Sequence, residues 1–235
     1  MENISIVTRL KNREALLNIV LPSWLRFSFE RIWIVDWKTN GNLQEIIDKH
    51  QDGRIYRVLV ETAEKDSFMW SEAWNVGDSL VTTKYVANVD CDIFITKGFD
   101  TFDFKDDCYY RGGFLYENDE GVKKIGHADV CGTCVVTKEM IDKANGYSEF
   151  MKHYGGEDHD FFRRLKKLGF KERHITYLRP LKHGEGLRLR YNGGVSLEES
   201  MRDNKSRPKW NAKCPRKSHK VKIIHPDKTI VERVI

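Results

Sequence analysis

Long apolar runs are absent from this chain of 235 residues. No window approaches the ~18 apolar residues that a membrane-spanning helix needs. The N-terminus also lacks the basic stretch followed by an apolar stretch that marks a signal peptide. We therefore expect a cytoplasmic protein that stays in the compartment where it is made, unless a partner carries it elsewhere.

The chain has only five cysteines. An odd number argues against a complete disulfide framework. Cys131 and Cys134 form a CxxC pair, which could be redox-active or supply half of a zinc site. No further ligands follow at a matching spacing, because Cys214 stands alone among lysines. The favoured interpretation is two small residues in a buried strand.

Neither hydrophobicity nor charge is extreme, with 40% hydrophobic and 32% charged residues. These values are ordinary for a soluble globular protein, and one domain of this size can bury roughly 70% of its unfolded surface. The net charge of +5 is concentrated near the C-terminus, where Asp203 is the only acid between Arg202 and Lys222. Such a basic run attracts phosphates, an acidic membrane surface or nucleic acid, or is simply a solvated tail.

Strand-like and helix-like segments alternate along the first part of the chain. The spacing of apolar residues predicts strands over 4–8, 31–35, 55–60 and 84–89. It predicts helices over 12–20, closed by Pro22, over 43–50, and over 71–80 with Ser71 as N-cap. Strands that alternate with helices in this way are typical of a parallel sheet with right-handed crossovers.

The alternation loosens in the second part. We expect paired strands over 108–115 and 122–125 across a polar turn, a short strand over 134–136 and a last strand over 175–178. Helices are predicted over 138–144 and 157–168. The chain is thus expected to form one α/β domain over residues 1–200, with a mostly parallel central sheet, flanking helices and a small antiparallel accessory sheet. A basic C-terminal extension is expected over residues 201–235.

Acidic and polar residues end the predicted strands, and ligands of a parallel sheet bind beyond these carboxyl ends. Thr8, Asp36 and Asp90 therefore share one rim, where Asp36 is either a contact to a base or ribose or a turn acid. Asp90 and Asp92 project to the same side of an extended segment. Two carboxylates about 4 Å apart repel by about 4 kcal/mol at an effective dielectric constant of 20. A divalent cation such as Mn²⁺ or Mg²⁺ turns that repulsion into attraction and also binds phosphate oxygens.

A second acidic pair, Glu157 and Asp158, follows Gly155-Gly156 at the start of a predicted helix. Adjacent helical side chains point about 100° apart, so the two acids are expected to have different roles. One could accept the proton of an attacking hydroxyl while the other holds the acceptor. Stabilisation of the first helical turn is the simpler alternative, worth ~0.3–1 kcal/mol for each acid.

Taken together and in order, the motifs resemble the GT-A glycosyltransferases, with a Rossmann-like fold. The match is closest to the β-1,4-galactosyltransferase group and the related chondroitin-polymerase and family 2 enzymes. It spans roughly residues 4 to 185. The segments that carry it are Asn12-Arg13, Asn75-Val76-Gly77, Val89-Asp90-Cys91-Asp92, Gly132 to Lys138, Asn145-Gly146-Tyr147, Tyr154 to Asp160 and Arg163-Arg164-Leu165.

The resemblance implies a role for individual residues of this chain. Asp158 would be the general base, and Glu157 would assist catalysis and help to bind the acceptor. The metal ligands would be Asp92 and His183, with Asp90 beside them. Donor-binding residues would be Thr8, Arg9, Asn12, Arg13, Asp36, Asn75, Asp90, Asp92, Arg188 and Arg190. Acceptor-binding residues would be His153, Tyr154, Gly155, Gly156 and Glu157.

The resemblance also implies the reaction. A hexosyltransferase of this kind moves a sugar from a UDP-sugar to a hydroxyl of a glycan or other acceptor, with Mn²⁺ or Mg²⁺ as cofactor and inversion at the anomeric carbon. A segment with Arg188, Arg190 and Tyr191 would close over the phosphates. Arg9-Leu10 stands where the family commonly has Pro-Phe. The animal enzymes carry a membrane anchor and disulfides, so this chain resembles a soluble bacterial or viral relative.

Two other functions fit parts of the sequence. A nucleotidyltransferase or phosphatase could use the same acidic rim. A carbohydrate- or nucleic-acid-binding module could stack sugars or bases on tryptophans and hold an anionic partner with the basic tail. Those tryptophans are Trp37, Trp70, Trp74 and Trp210, and packing in the core is their alternative role.

Overall fold

The structure is a computed structural model. It describes residues 3–63, 67–117, 121, 123–126, 130, 132–151, 155–182, 197–206 and 216–235. Its first part alternates strands and helices as the spacing of apolar residues predicts. These elements are β1 (Ile4–Leu10), α1 (Glu14–Leu25), β2 (Ile32–Asp36), α2 (Leu43–His50), β3 (Ile55–Val60), α3 (Trp70–Leu80) and β4 (Tyr85–Asn88).

The second part is made of shorter elements. They are β5 (Ile93–Ile95), a 3-10 turn (Phe99–Thr101), β6 (Cys108–Gly112), β7 (Phe114–Glu117), β8 (Lys123–Gly126), β9 (Cys134–Thr137), α4 (Lys138–Ala144), α5 (Glu157–Lys167), β10 (Lys171–Ile175), β11 (Leu178–Pro180), α6 (Leu197–Ser206), β12 (Lys220–Ile224) and β13 (Ile230–Val234). Among the described residues, the helices are too short or too polar to traverse a lipid bilayer.

One large sheet of nine strands organises the molecule, in the order β10-β6-β9-β4-β1-β2-β3-β12-β13. The four strands β1 to β4 run parallel to their neighbours within this group. β9 and β12 then pair antiparallel with β4 and β3. Two small sheets, β5 with β11 and β7 with β8, are antiparallel. The α/β class and the accessory antiparallel pairing are therefore confirmed.

Apolar layers cover both faces of the large sheet. Successive side chains of a strand point to opposite faces, and β1 shows this directly, because Ile6 lies in one core cluster and Val7 in the other. Trp24 of α1 belongs to the first layer, while Trp74 of α3 and Phe161 of α5 belong to the second. All seven residues of β1 are buried, as expected for a parallel strand between two helical layers.

The end of α1 differs from the prediction, because Pro22 lies inside the helix instead of closing it. A proline removes one backbone hydrogen bond, which normally ends or kinks a helix. Here Leu21, Ser23 and Trp24 are buried, and their packing continues the helix to Leu25. The prediction of Ser71 as the N-cap of α3 is also wrong. The helix begins at Trp70 after the N-cap Met69, and Ser71 is buried within it.

Two predicted strands combine parts of separate elements. The strand predicted over 108–115 divides at Gly113, because β6 pairs in the large sheet while β7 forms a hairpin with β8. The strand predicted over 175–178 instead joins the end of β10 to the start of β11. β10 escaped prediction because Lys171, Glu172 and Arg173 are exposed on an edge strand, where no apolar alternation is required.

The C-terminal residues extend the large sheet. β12 pairs antiparallel with β3 and with β13, and its Val221 and Ile223 are buried in the core cluster that contains Trp74. Residues 220–234 therefore belong to the sheet and are not a solvated tail. The basic residues around them concealed this strand, because Lys220 is exposed and Lys222 half-buried beside the apolar ones. The domain boundary at residue 200 stays a prediction.

Candidate active site

The predicted rim forms at the carboxyl ends of β1, β2 and β4. Parallel pairing places Val7 beside Asn88 and Leu10 beside Asp36. Asp90 and Asp92 lie in the turn between β4 and β5. Backbone contacts hold this turn, since Asp90 N donates to Thr133 Oγ1 at 3.3 Å. Leu181 N donates to the Asp92 carbonyl at 2.7 Å.

Arg9 joins the two acidic motifs. Its Nη1 donates to Asp90 Oδ1 at 2.7 Å, and its Nη2 lies 3.5 Å from Glu157 Oε1. The guanidinium also stacks on two indole rings, with its carbon 4.3 Å from the Trp70 centroid and 3.9 Å from that of Trp74. Arg9 is only 3% exposed, so these charged contacts are shielded from water and strong.

Arg13 and Asn12 shape the other side of the rim. Arg13 Nη1 lies 3.7 Å from Asp92 Oδ2. Asn12 has a positive φ of 53°, and it both donates a hydrogen bond to the loop after β2 and accepts one from it. Its N–H donates to Thr39 Oγ1, and its Oδ1 accepts from Asn40 N at 2.7 Å. The segment between β1 and α1 is thereby fixed beside Asp92.

The second acidic pair lies at the start of α5, as predicted. Gly155 and Gly156 both adopt positive φ, at 101° and 93°, which glycine allows without steric cost. This turn brings Gly155 N within 2.9 Å of Glu157 Oε2. Asn204 of α6 donates to the Gly155 carbonyl at 2.6 Å. The glycine turn is therefore held from both sides.

Burial raises the pKa of Glu157 to about 7, and the neighbouring Asp158 charge adds to this shift while Arg9 opposes it. Burial also raises the pKa of Asp90, against the attraction of Arg9. Glu157 and Asp158 are 4% and 8% exposed. Asp158 Oδ1 accepts from His159 N at 2.8 Å. Carboxylates crowded into a partly dry cleft are typical of acid–base and metal sites.

Two predicted donor-binding residues, Asp36 and Asn75, form hydrogen bonds inside the protein, and a third, Thr8, is buried on β1. Asp36 is fully buried, and its Oδ2 accepts from Arg57 Nη2 at 2.6 Å. Asn75 binds the backbone of Tyr147 through both its amide nitrogen and its oxygen. The Thr8 hydroxyl is buried and has no hydrogen-bond partner within the part of the chain that the structure describes. Their contacts with a donor stay predictions.

Several candidate residues lie outside the described residues. They are His153, Tyr154, His183, Arg188 and Arg190, together with Tyr191, Cys131 and Trp210. Among the described residues, no group of three or more histidine, cysteine or acidic side chains is placed to hold a metal ion. Of the predicted metal ligands, Asp90 and Asp92 are therefore described and His183 is not, and the metal site stays a prediction.

The prediction that the tryptophans form an exposed stacking surface is wrong for three of them, because Trp37, Trp70 and Trp74 are at most 4% exposed. They pack in the core layer that carries α3. Cys134 is also buried in β9 with a free thiol, which agrees with the favoured interpretation of the CxxC pair.

Known structures share this arrangement of elements. The catalytic domain of Drosophila β1,4-galactosyltransferase 7, in complex with xylobiose, superposes with a TM-score of 0.63 at 15% identity, covering 100% of this chain and 93% of that one. A mutant of the same enzyme, in complex with manganese, UDP-Gal and xylobiose, gives the same values. S. aureus TarS superposes with a TM-score of 0.56 at 14% identity over 76% of this chain and 60% of that one.

The chain has the GT-A fold. A family model described as the N-terminal domain of galactosyltransferase matches residues 117–184, the part that contains the Gly155-Gly156-Glu157-Asp158 motif. No curated protein matches the sequence. The resemblance derived from the motifs is thus confirmed, by the fold over the whole chain and by the family model over the second acidic motif.

The sequence analysis missed three residues that form contacts in the candidate site. Arg57 neutralises Asp36, Lys11 donates to the Trp37 carbonyl, and Glu149 accepts from Asn75. For Lys11, the one available signal was its position directly before Asn12-Arg13. Arg57 and Glu149 gave no local signal, because pairing with partners distant in sequence defines their roles.

Proposed function

We propose that this protein is a metal-dependent, inverting glycosyltransferase that moves a hexose from a nucleoside-diphosphate sugar, UDP-linked, to a hydroxyl of an acceptor. The observation that carries this proposal is the position of Arg9, which contacts both acidic motifs. Donor and acceptor must meet for a direct transfer. The rim, where Asp90 and Glu157 share the buried Arg9 guanidinium, supplies that meeting point.

Asp90 and Asp92 fit a divalent metal. Both carboxylates are partly accessible, with side chains 22% and 13% exposed, and hard oxygen ligands suit Mn²⁺ and Mg²⁺. Asp92 would hold the ion with His183, and Asp90 would lie beside it. A bound metal would neutralise the leaving diphosphate. Manganese and UDP-Gal accompany the mutant Drosophila enzyme in its complex, which supports the same pair for this chain.

Glu157 and Asp158 divide the work on the acceptor. Asp158 accepts the hydroxyl proton as the hydroxyl oxygen attacks the anomeric carbon. Glu157 is held by Gly155 N and faces Arg9, so it positions the acceptor hydroxyl. Together with Gly155 and Gly156, the neighbouring His153 and Tyr154 complete the acceptor side. One displacement from the opposite face of the sugar inverts the anomeric configuration.

The donor side consists of Thr8, Arg9, Asn12, Arg13, Asp36 and Asn75 on the rim, with Arg188 and Arg190 closing over the phosphates. The unpartnered Thr8 hydroxyl supports a polar ligand at the end of β1. Xylobiose in both Drosophila complexes supports a glycan acceptor. The cytoplasmic location and an anionic partner for the basic C-terminal residues complete the proposal.

The test compares Asp158→Asn with the neighbouring control His159→Asn, which alters an exposed side chain. UDP-hexose consumption and product mass are measured with a panel of glycan acceptors, and UDP binding by thermal shift with and without Mn²⁺. Asp158→Asn abolishes transfer and retains the Mn²⁺-dependent shift with UDP, whereas His159→Asn keeps both. Asp92→Asn loses the metal-dependent part of the shift.

Normal turnover by Asp158→Asn would reject this residue as the base. A UDP shift that does not depend on metal would reject the metal site. The nucleotidyltransferase alternative predicts nucleotide transfer instead of sugar transfer, which the product mass distinguishes. The binding-module alternative has lost its main support, because the described tryptophans are buried.

A further inference from the structure

A groove lies between the second half of α1 and the small sheet of β5 and β11. Its volume of about 920 Å³ is within the range of small-molecule sites. Phe27, Phe94 and Ile95 form part of its apolar lining. Ile19 also lines the groove and is 51% exposed.

Positive charge surrounds this apolar lining. Arg26, Lys97, Arg179 and Lys182 line the groove and are exposed, and among the described residues Asp100 is the only acid in the lining. Within the part of the chain that the structure describes, none of the four cations forms an ion pair. Four like charges around one groove repel each other, and a bound anion would relieve that repulsion.

Hydrogen bonds fix the walls of the groove. Trp24 Nε1 donates to the Ile93 carbonyl at 2.7 Å, and Ile95 N donates to Ser23 Oγ at 3.1 Å. These two bonds join α1 to β5. β11 is paired with β5 in turn. The groove is therefore formed before any ligand binds, which lowers the entropic cost of binding.

We propose that this groove binds an anionic amphiphile, which is a single apolar chain with a phosphate head group. The apolar lining takes the chain, because burial of its methylene groups is favourable, and the cationic rim attracts the phosphate. A concave groove encloses one chain, whereas a flat bilayer surface would contact only its lip. The proposal does not depend on the transferase activity.

The test measures binding of monomeric dodecyl phosphate to the full chain by isothermal titration calorimetry. Dodecyl maltoside and inorganic phosphate serve as probes of the chain and the head group alone. Dodecyl phosphate binds more tightly than either. The double variant Lys97→Glu/Arg179→Glu weakens its binding by about tenfold or more, because attraction becomes repulsion. Ile19→Asn weakens it as well, through the loss of apolar contact.

The matched control is Lys166→Glu/Lys167→Glu, which makes the same change of charge on exposed residues at the end of α5. It leaves the affinity for dodecyl phosphate unchanged. Equal losses in the two double variants would overturn the proposal, as would equal affinity for dodecyl phosphate and dodecyl maltoside. Binding to anionic phospholipid vesicles without binding to the monomeric amphiphile would replace it with docking on a membrane surface.

Discussion

Arg9 shows how much one side chain can decide at the scale of a residue. It is held between two indole rings and contacts carboxylates from motifs that are far apart in the sequence. Burying a charge without a partner is expensive, whereas a paired and hydrogen-bonded charge is tolerated. Arg9 and the carboxylates around it therefore depend on each other, and the family's usual Pro-Phe could not make these contacts.

Arg9→Met is expected to lower the free energy of unfolding by about 3–5 kcal/mol, because it leaves Asp90 and Glu157 without their buried cation. Urea unfolding monitored by fluorescence measures the change. The control is Arg163→Met, whose guanidinium is 44% exposed beside Asp160, and which should cost less than about 1 kcal/mol. Similar losses in the two variants would contradict the structural role of Arg9.

Asp78 provides a pH-dependent contribution to stability. It is fully buried, and burial raises its pKa to about 7, above the ordinary value of an unfolded aspartate. Because the folded state holds the proton more tightly, this contribution is fully present below about pH 4. It is lost as the pH rises through 7. The sign is thus opposite to that of an aspartate held in a salt bridge.

Asp78→Asn should therefore gain stability relative to the natural protein as the pH increases. Between about pH 5 and pH 8 the difference in unfolding free energy is expected to change by roughly 2–3 kcal/mol in favour of the variant. Urea unfolding of both proteins at the two pH values measures it. A difference that is constant with pH would show that Asp78 does not titrate in this range.

At the scale of the element, α5 is placed by the glycine turn before it. Gly156 has a φ of 93°, and Gly169, just after the same helix, has a φ of 90°. Among the described residues, a Cβ at Gly156 would meet only Asn204, at 3.9 Å, and a Cβ at Gly169 would meet nothing within 4 Å. A side chain would therefore strain the backbone to a similar degree at both positions, but only Gly156 belongs to the candidate site.

Gly156→Ala and Gly169→Ala are each expected to destabilise the protein by about 1–3 kcal/mol, since alanine disfavours positive φ. Transfer activity should separate them. Gly156→Ala shifts Glu157 and Asp158 and loses most of the turnover, while Gly169→Ala retains it. Unfolding curves and sugar-transfer assays provide the two measurements. If both variants keep full activity, the position of the glycine turn is not critical for transfer.

At the scale of the whole molecule, β12 extends the large sheet between β3 and β13. Its Ile223 is 3% exposed, whereas Ile230 on β13 is 56% exposed. Ile223→Ala should lower the free energy of unfolding by about 2–5 kcal/mol through lost burial and a cavity. Ile230→Ala serves as the matched control and should cost far less. Equal effects in urea unfolding would show that β12 does not contribute to the core.

The sequence by itself determined the features that depend on local pattern. The order of strands and helices through β4, the start of α5 and the positions of both acidic motifs follow from apolar spacing, glycine pairs and strand ends. Those signals lie within a few residues of the chain, so they survive without any knowledge of the fold. The relation of the acidic motifs to a GT-A fold came from their resemblance to the motifs of GT-A glycosyltransferases, which is also local in the sequence.

Only the tertiary structure decided which distant residues meet. It gave Arg9 its two carboxylates, gave Asp36 its partner Arg57, buried Trp70 and Trp74, and placed β12 and β13 in the sheet. Each outcome depends on contacts between segments far apart in the chain. Their free energy comes from burial and from charge pairing across those segments, and neither leaves a periodic signal in the sequence.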